Sequence, residues 1–137
     1  LVYPYIRDAS LAAFARLEAQ DCALALFDAP TLIESGLHRL CRAQNTGAGV
    51  LGMLAPVDVR IRRVMARDGL TEQAARARIA AQPPDGFYRA HCDYLIQNDD
   101  GLDELQPLVE RFWETLHRLP LAPQPRGLVF ARQNEPV

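Results

Sequence analysis

The sequence predicts an α/β domain built on a parallel sheet. Three observations carry that prediction: short unbroken apolar runs, amphipathic stretches between them, and proline or glycine at the junctions. The runs are LALF (24–27), GVLGMLAP (49–56) and Tyr94-Leu95-Ile96. A strand covered by helices on both faces must be apolar on both, so it reads as a continuous run rather than an alternation. The 137 residues suffice for one compact core and are too few for two.

Each element has its own signal. Over residues 5–19, Ile6, Leu11, Phe14 and Leu17 fall near helical spacing, with Arg7, Asp8, Arg16 and Glu18 elsewhere on the surface. LALF follows as a short buried strand stopped by Pro30. RAQNTG, residues 42–47, has turn character and leads into the second strand, which ends at Pro56. Val57, Ile61, Val64 and Met65 then space as a helix over 58–67, closed by Asp68-Gly69. Thr71 is suited to cap the next helix, Glu72 to its first turn, and Gln82-Pro83-Pro84 to stop it. The third strand runs into the turn-rich Asn98-Asp99-Asp100-Gly101. Leu102, Leu105, Val109, Phe112 and Leu116 step by three and four along a last helix, with Trp113 beside them. Beyond Leu119, Pro120, Pro123, Pro125 and Pro136 predict an extended, poorly ordered tail over 120–137.

Composition excludes several functions. A net charge of −2 leaves no footprint for nucleic acid or an anionic membrane, and all 15 basic residues are arginine. Cys22, Cys41 and Cys92 are odd in number and lack Cys-x-x-Cys spacing, which favours reduced thiols in the cytoplasm over disulfides or zinc. The three histidines are too scattered to form a ligand set, so no metal site is expected from them. No apolar stretch approaches the ~18 residues of a membrane span. No signal peptide is visible, although the chain opens on Leu1 rather than Met.

Three features could carry chemistry. Asp28 ends the first apolar run, and a carboxylate at the end of a buried strand must be met by a partner. Ligands bind beyond the carboxyl ends of parallel strands, where Asp28 could hold a Mg²⁺-bound water or a substrate hydroxyl; the alternative is a turn cap. Arg60, Arg63 and Arg67 share one helix face, and their forked donors suit polyphosphate. The alternative there is a solvated face with local acid partners such as Asp58 and Asp68. Asn98 follows the third strand, where its amide could read a base edge or simply make a turn. Tyr3, Tyr5, Phe87, Tyr88 and Tyr94 are too dispersed to favour a stacking platform over packing.

Together these pieces resemble the dephospho-CoA kinase family over residues 2–119. The family carries Asp-x-Pro-Leu-Leu-x-Glu; Asp28-Ala29-Pro30-Thr31-Leu32-Ile33-Glu34 matches it except at Thr31. RRVMARDGLTEQAARARIAAQ (62–82) is similar to its helix and lid, with the Arg-Asp-Gly turn, Ala-Arg-Ile and closing Gln in register. Asp93 through Asp99 resembles the strand segment that follows, and the helix at 102–119 ends the family domain.

The resemblance implies a three-layer α/β P-loop kinase fold with a parallel sheet and a helical lid. It implies phosphorylation of the ribose 3′-hydroxyl of dephospho-CoA, with ATP and Mg²⁺ as cofactors and no nucleic-acid or membrane partner. Arg67 would be the lid arginine closing on the ATP phosphates, with Arg63 a second candidate. Asn98 would lie near the adenine, and Asp28, Leu32 and Glu34 would line the dephospho-CoA side.

The sequence departs from the family in lacking Gly-x-x-x-x-Gly-Lys-[Ser/Thr], the phosphate-cradling loop. Tyr3 replaces the family's His before Pro4, and residues 41–49 match poorly. The expectation is therefore a partial kinase domain over 1–119, the C-terminal portion of a longer enzyme without its first strand and P-loop, and inactive alone. Another P-loop small-molecule or nucleotide kinase, and a non-catalytic kinase-fold module, are the competing readings.

Overall fold

The computed structural model describes residues 3–44, 49–99, 101–118 and 128–131. The chain divides into two compact units, Leu1–Gln44 and Asn45–Val137.

In the first unit, α1 spans Tyr3–Ala19. Pro4 lies in its first turn, where a missing N–H leaves no hydrogen bond unmade. Phe14 meets Phe27 edge to face at 5.9 Å between ring centroids. LALF is not a strand: residues 24–29 have no regular structure, and Leu26 is 82% exposed. A strand's N–H and C=O groups need a neighbouring ladder, and the described residues of this unit provide none. Instead, Leu26 and Phe27 line an open apolar groove of about 390 Å³ with Tyr5, Ile6, Phe14 and Leu17 of α1. Tight turns follow, closing at Gly36, whose φ of 77° is left-handed. α2, Leu37–Gln44, takes in Arg42–Gln44, which the sequence had placed in a turn. Residues 45–48 of that turn lie outside the described residues.

The second unit holds the sheet. Its elements are β1 (Leu51–Leu54), α3 (Val57–Asp68), α4 (Glu72–Ala80), α5 (Asp85–His91), β2 (Tyr94–Gln97), α6 (Leu102–Arg118) and β3 (Leu128–Phe130). The strands are parallel in the order β1-β2-β3, with Leu51 opposite Tyr94 and Tyr94 opposite Leu128. The expected α/β fold with a parallel sheet is thus present.

Two features differ from expectation. Residues 128–130 of the presumed disordered tail form β3, and Phe130 is buried there; the rest of 119–137, apart from Ala131, lies outside the described residues. An apolar Leu-Val-Phe triplet with a free strand edge beside it outweighs the proline-rich composition around it. α5 is the other, a seven-residue helix that starts directly after Pro83-Pro84.

α6 covers the face of the sheet that carries Tyr94, Ile96 and Phe130, through Leu105, Leu108, Phe112 and Leu116. The buried stripe therefore runs through Leu108; Leu102 and Val109, expected on it, are exposed. The opposite face points toward Cys92 at the end of α5, so closely that a Cβ on Gly52 would come within 2.7 Å of its Sγ. At the amino ends of the strands, the buried Asp93 carboxylate accepts the Val50 N–H at 2.9 Å. The Asp93 N–H returns to the Val50 carbonyl at 2.9 Å, and its own carbonyl accepts the Leu128 N–H at 3.2 Å. One residue thereby ties all three strands in register.

Candidate functional site

α3 leaves the carboxyl end of β1 through Ala55-Pro56, and Asn98 leaves the carboxyl end of β2. These neighbouring strand ends place both at the edge where open parallel sheets bind ligands. The Asn98 N–H donates to the Leu54 carbonyl at 2.7 Å, fixing the start of that loop against β1.

α3 and α4 form a hairpin with a seam of its own. Ile61, Ala75 and Ile79 are buried together, with Val64 and Met65 packed against them. The hairpin turns at Gly69, with φ of 65° and its N–H on the Met65 carbonyl at 2.9 Å. Thr71 caps α4 by accepting the Ala74 N–H at 3.3 Å, as its sequence position predicts.

The three arginines expected on one phosphate-facing stripe have three different partners. Arg60, near the base of α3, donates to Gln82 and pairs with Asp85 at 3.3 Å, joining α3 to the α4–α5 connection. Arg63 donates from Nη1 to the Asn98 carbonyl and from Nη2 to Asn98 Oδ1, both at 3.0 Å. Arg67, at the tip and 68% exposed in its side chain, grips Asp68 through Nε at 2.6 Å and Nη2 at 2.9 Å. Arg78 of α4 reaches the same carboxylate at 2.5 Å. The Arg67 hydrogen bond, with the charges of both arginines, holds the Asp68 carboxyl below its ordinary range. The local acid partner of the solvated-face alternative is thus real at Arg67; Asp58 pairs with Arg62 instead, at 2.8 Å.

Asp28, Leu32 and Glu34 belong to the first unit. Asp28 is exposed and follows an unpaired segment, so it is not a carboxylate buried at a strand end, and the desolvation problem does not arise. Leu32 is half-buried, its N–H on the Ala29 carbonyl at 3.0 Å, and Glu34 is exposed. Among the described residues no three His, Cys, Asp or Glu side chains converge on a metal position. A Mg²⁺ ion held mainly by nucleotide phosphates and water needs no such cluster, so none of the described residues is assigned to it.

The structure brings together Arg63 and Asn98, which the sequence had singled out separately. Reading the sequence missed Arg78 as a partner at the hairpin tip and Gln82 and Asp85 as partners of Arg60. Those pairs lie ten to twenty-five positions apart, and no local spacing signals them.

Comparison with known proteins gives a consistent result. The family profile described as dephospho-CoA kinase matches residues 1–104. The chain is 37% identical to the dephospho-CoA kinase of Anaeromyxobacter dehalogenans over 131 residues, 92% of this chain and 59% of that protein. It is 33% identical to that of Syntrophotalea carbinolica, covering 80% of this chain and 49% of the relative. For the Thermus thermophilus protein the identity is 32%, with 77% and 48% covered. The chain spans about half the length of the curated relatives it matches. No solved structure matches it significantly.

Proposed function

The chain belongs to the dephospho-CoA kinase family, and we propose that it supplies the lid and base end of an ATP-dependent enzyme phosphorylating the ribose 3′-hydroxyl of dephospho-CoA. The observation that carries this reading is the Arg63–Asn98 pair at the carboxyl edge of the sheet, beneath a hairpin with the family's lid sequence.

In this reading Asn98 lies beside the adenine. Arg67 exchanges Asp68 for the ATP phosphates when the lid closes, with Arg78 close behind it and Arg63 the weaker phosphate candidate. Asp28, Leu32 and Glu34 line the dephospho-CoA side. None of the described residues forms a set that would hold Mg²⁺ by itself, so the ion would arrive with the ATP phosphates, whose charge it would neutralise. Closure excludes water, so the phosphoryl group reaches the ribose hydroxyl rather than solvent.

The cytoplasm suits the reading, since Cys22, Cys41 and Cys92 show no disulfide pattern. Among the described residues no helix is long and apolar enough to cross a membrane.

A coupled ADP-release assay with dephospho-CoA tests the proposal. The 137-residue chain should show little turnover, because most positioning and charge stabilisation in phosphoryl transfer comes from the Gly-rich loop it does not contain. Robust turnover by this chain would overturn that assignment of roles. In a full-length protein carrying the chain, Arg67→Ala should lower kcat by about 10²-fold, the scale of losing one charge-stabilising donor. An unchanged rate would remove Arg67 from the site.

A further inference from the structure

We infer that Arg63 is a positioning residue: it fixes the carboxamide of Asn98 so that the Nδ2 donor is turned away from α3 and toward the base. The inference deepens the reading above and rests on its placement of Asn98 beside the adenine.

The argument starts from donor and acceptor inventories. A guanidinium has five N–H donors and no acceptor, so the side-chain atom of Asn98 facing Arg63 must be the oxygen. Chemistry thus settles the O/N assignment that geometry alone leaves ambiguous for an amide. The terminal torsion of asparagine is otherwise broad, and a free amide would present its donor or its acceptor with similar ease. Here one contact holds the carboxamide and two hold the main chain that carries it. Arg63 Nη2 holds Oδ1 and Nη1 holds the main-chain carbonyl, each at 3.0 Å. The main-chain N–H is held by the Leu54 carbonyl at 2.7 Å.

The group left pointing outward is a donor, which suits an acceptor on the ligand. On adenine the acceptors are ring nitrogens. The chemical class read by Asn98 is therefore a heteroaromatic edge with an in-plane nitrogen lone pair. The two-point grip needs the planar fork of arginine, which the point charge of lysine does not reproduce.

The test compares ATP with its 1-deaza, 3-deaza and 7-deaza analogues in a full-length kinase carrying this chain. Each analogue deletes one ring-nitrogen acceptor. In the parent enzyme one analogue should raise KM by up to about tenfold, the scale of one lost hydrogen bond, with kcat changed less than about twofold. In Arg63→Met and Arg63→Lys that penalty should shrink to within about twofold. Asn98→Asp keeps the fork with Arg63 but has no donor, and should lose the penalty as well.

A deaza penalty undiminished in Arg63→Met would overturn the positioning role while leaving Asn98 as a base contact. Absence of any penalty in the parent, with Asn98→Ala leaving KM unchanged, would overturn the placement of Asn98 and the inference with it.

A readout independent of activity and of the Met variant's folding is the ¹⁵N order parameter of the Asn98 side-chain amide. It should lie near about 0.85 in the parent and fall below about 0.6 in Arg63→Lys, provided the variant's melting temperature is unchanged. A low value in the parent would overturn the inference.

Discussion

The α3–α4 hairpin and the 24–29 segment were equally prominent in the sequence, and they behave oppositely in the fold. A helical hairpin satisfies its backbone groups within itself and needs only Ile61, Ala75 and Ile79 to make a seam. An apolar strand is only half a structure, because its hydrogen bonds must come from another segment. Among the described residues, Leu24–Phe27 has no such neighbour, and Leu26 stays exposed. Local elements are therefore complete in this chain, and non-local ones are complete only where both partners are present, as in β1, β2 and β3.

That contrast is open to direct test. Phe130→Ala removes a buried ring that packs on Phe112 at 5.7 Å, and should cost about 3–5 kcal/mol. Phe27→Ala, in a half-buried site of the unpaired run, should cost no more than about 1–2 kcal/mol. Chemical denaturation of both variants checks the difference; equal losses would mean that the first unit is packed as firmly as the sheet.

Gly52→Ala should destabilise by about 1–3 kcal/mol, because its Cβ would press on Cys92 and Leu95. Compensation by Cys92→Gly in the double variant would confirm the clash as the cause.

The smallest effect is electrostatic. The Asp68 pKa is depressed in the folded state, so its contribution is fully present above the unfolded carboxylate value near ~3.9. It is lost as pH falls through the lower folded value. The pairing of Asp68 with Arg67 and Arg78 should thus be constant from about pH 5 upward. A ¹³C carboxyl titration of Asp68 checks it, and a midpoint above the ordinary aspartate value would show that Arg67 and Arg78 do not hold it in solution.

The same contrast explains what could be read in advance. The second and third strands, the Gly69 turn and the Thr71 cap are visible because glycine, threonine and apolar spacing act within a few residues. The Arg-Asp-Gly and Asp-x-Pro patterns were also enough to indicate the family. Partner choice among the arginines was legible only at Arg67, whose partner Asp68 is its sequence neighbour; the partners of Arg60 and Arg63 are set by which loop the fold returns beside them. β3 was hidden for a related reason. Three apolar residues among prolines carry no signal until Tyr94–Ile96 presents an edge.

β3 also changes what the end of the chain is for. It sits along the outer edge of β2, the most deeply buried strand of the sheet, and its first N–H is held by the Asp93 carbonyl. A version ending at Arg118 would leave Tyr94-Leu95-Ile96-Gln97 with a bare row of amides and carbonyls, a template for pairing with other molecules. The Leu128–Phe130 segment thus covers that edge of β2 and moves the open edge of the sheet to a strand of only three residues.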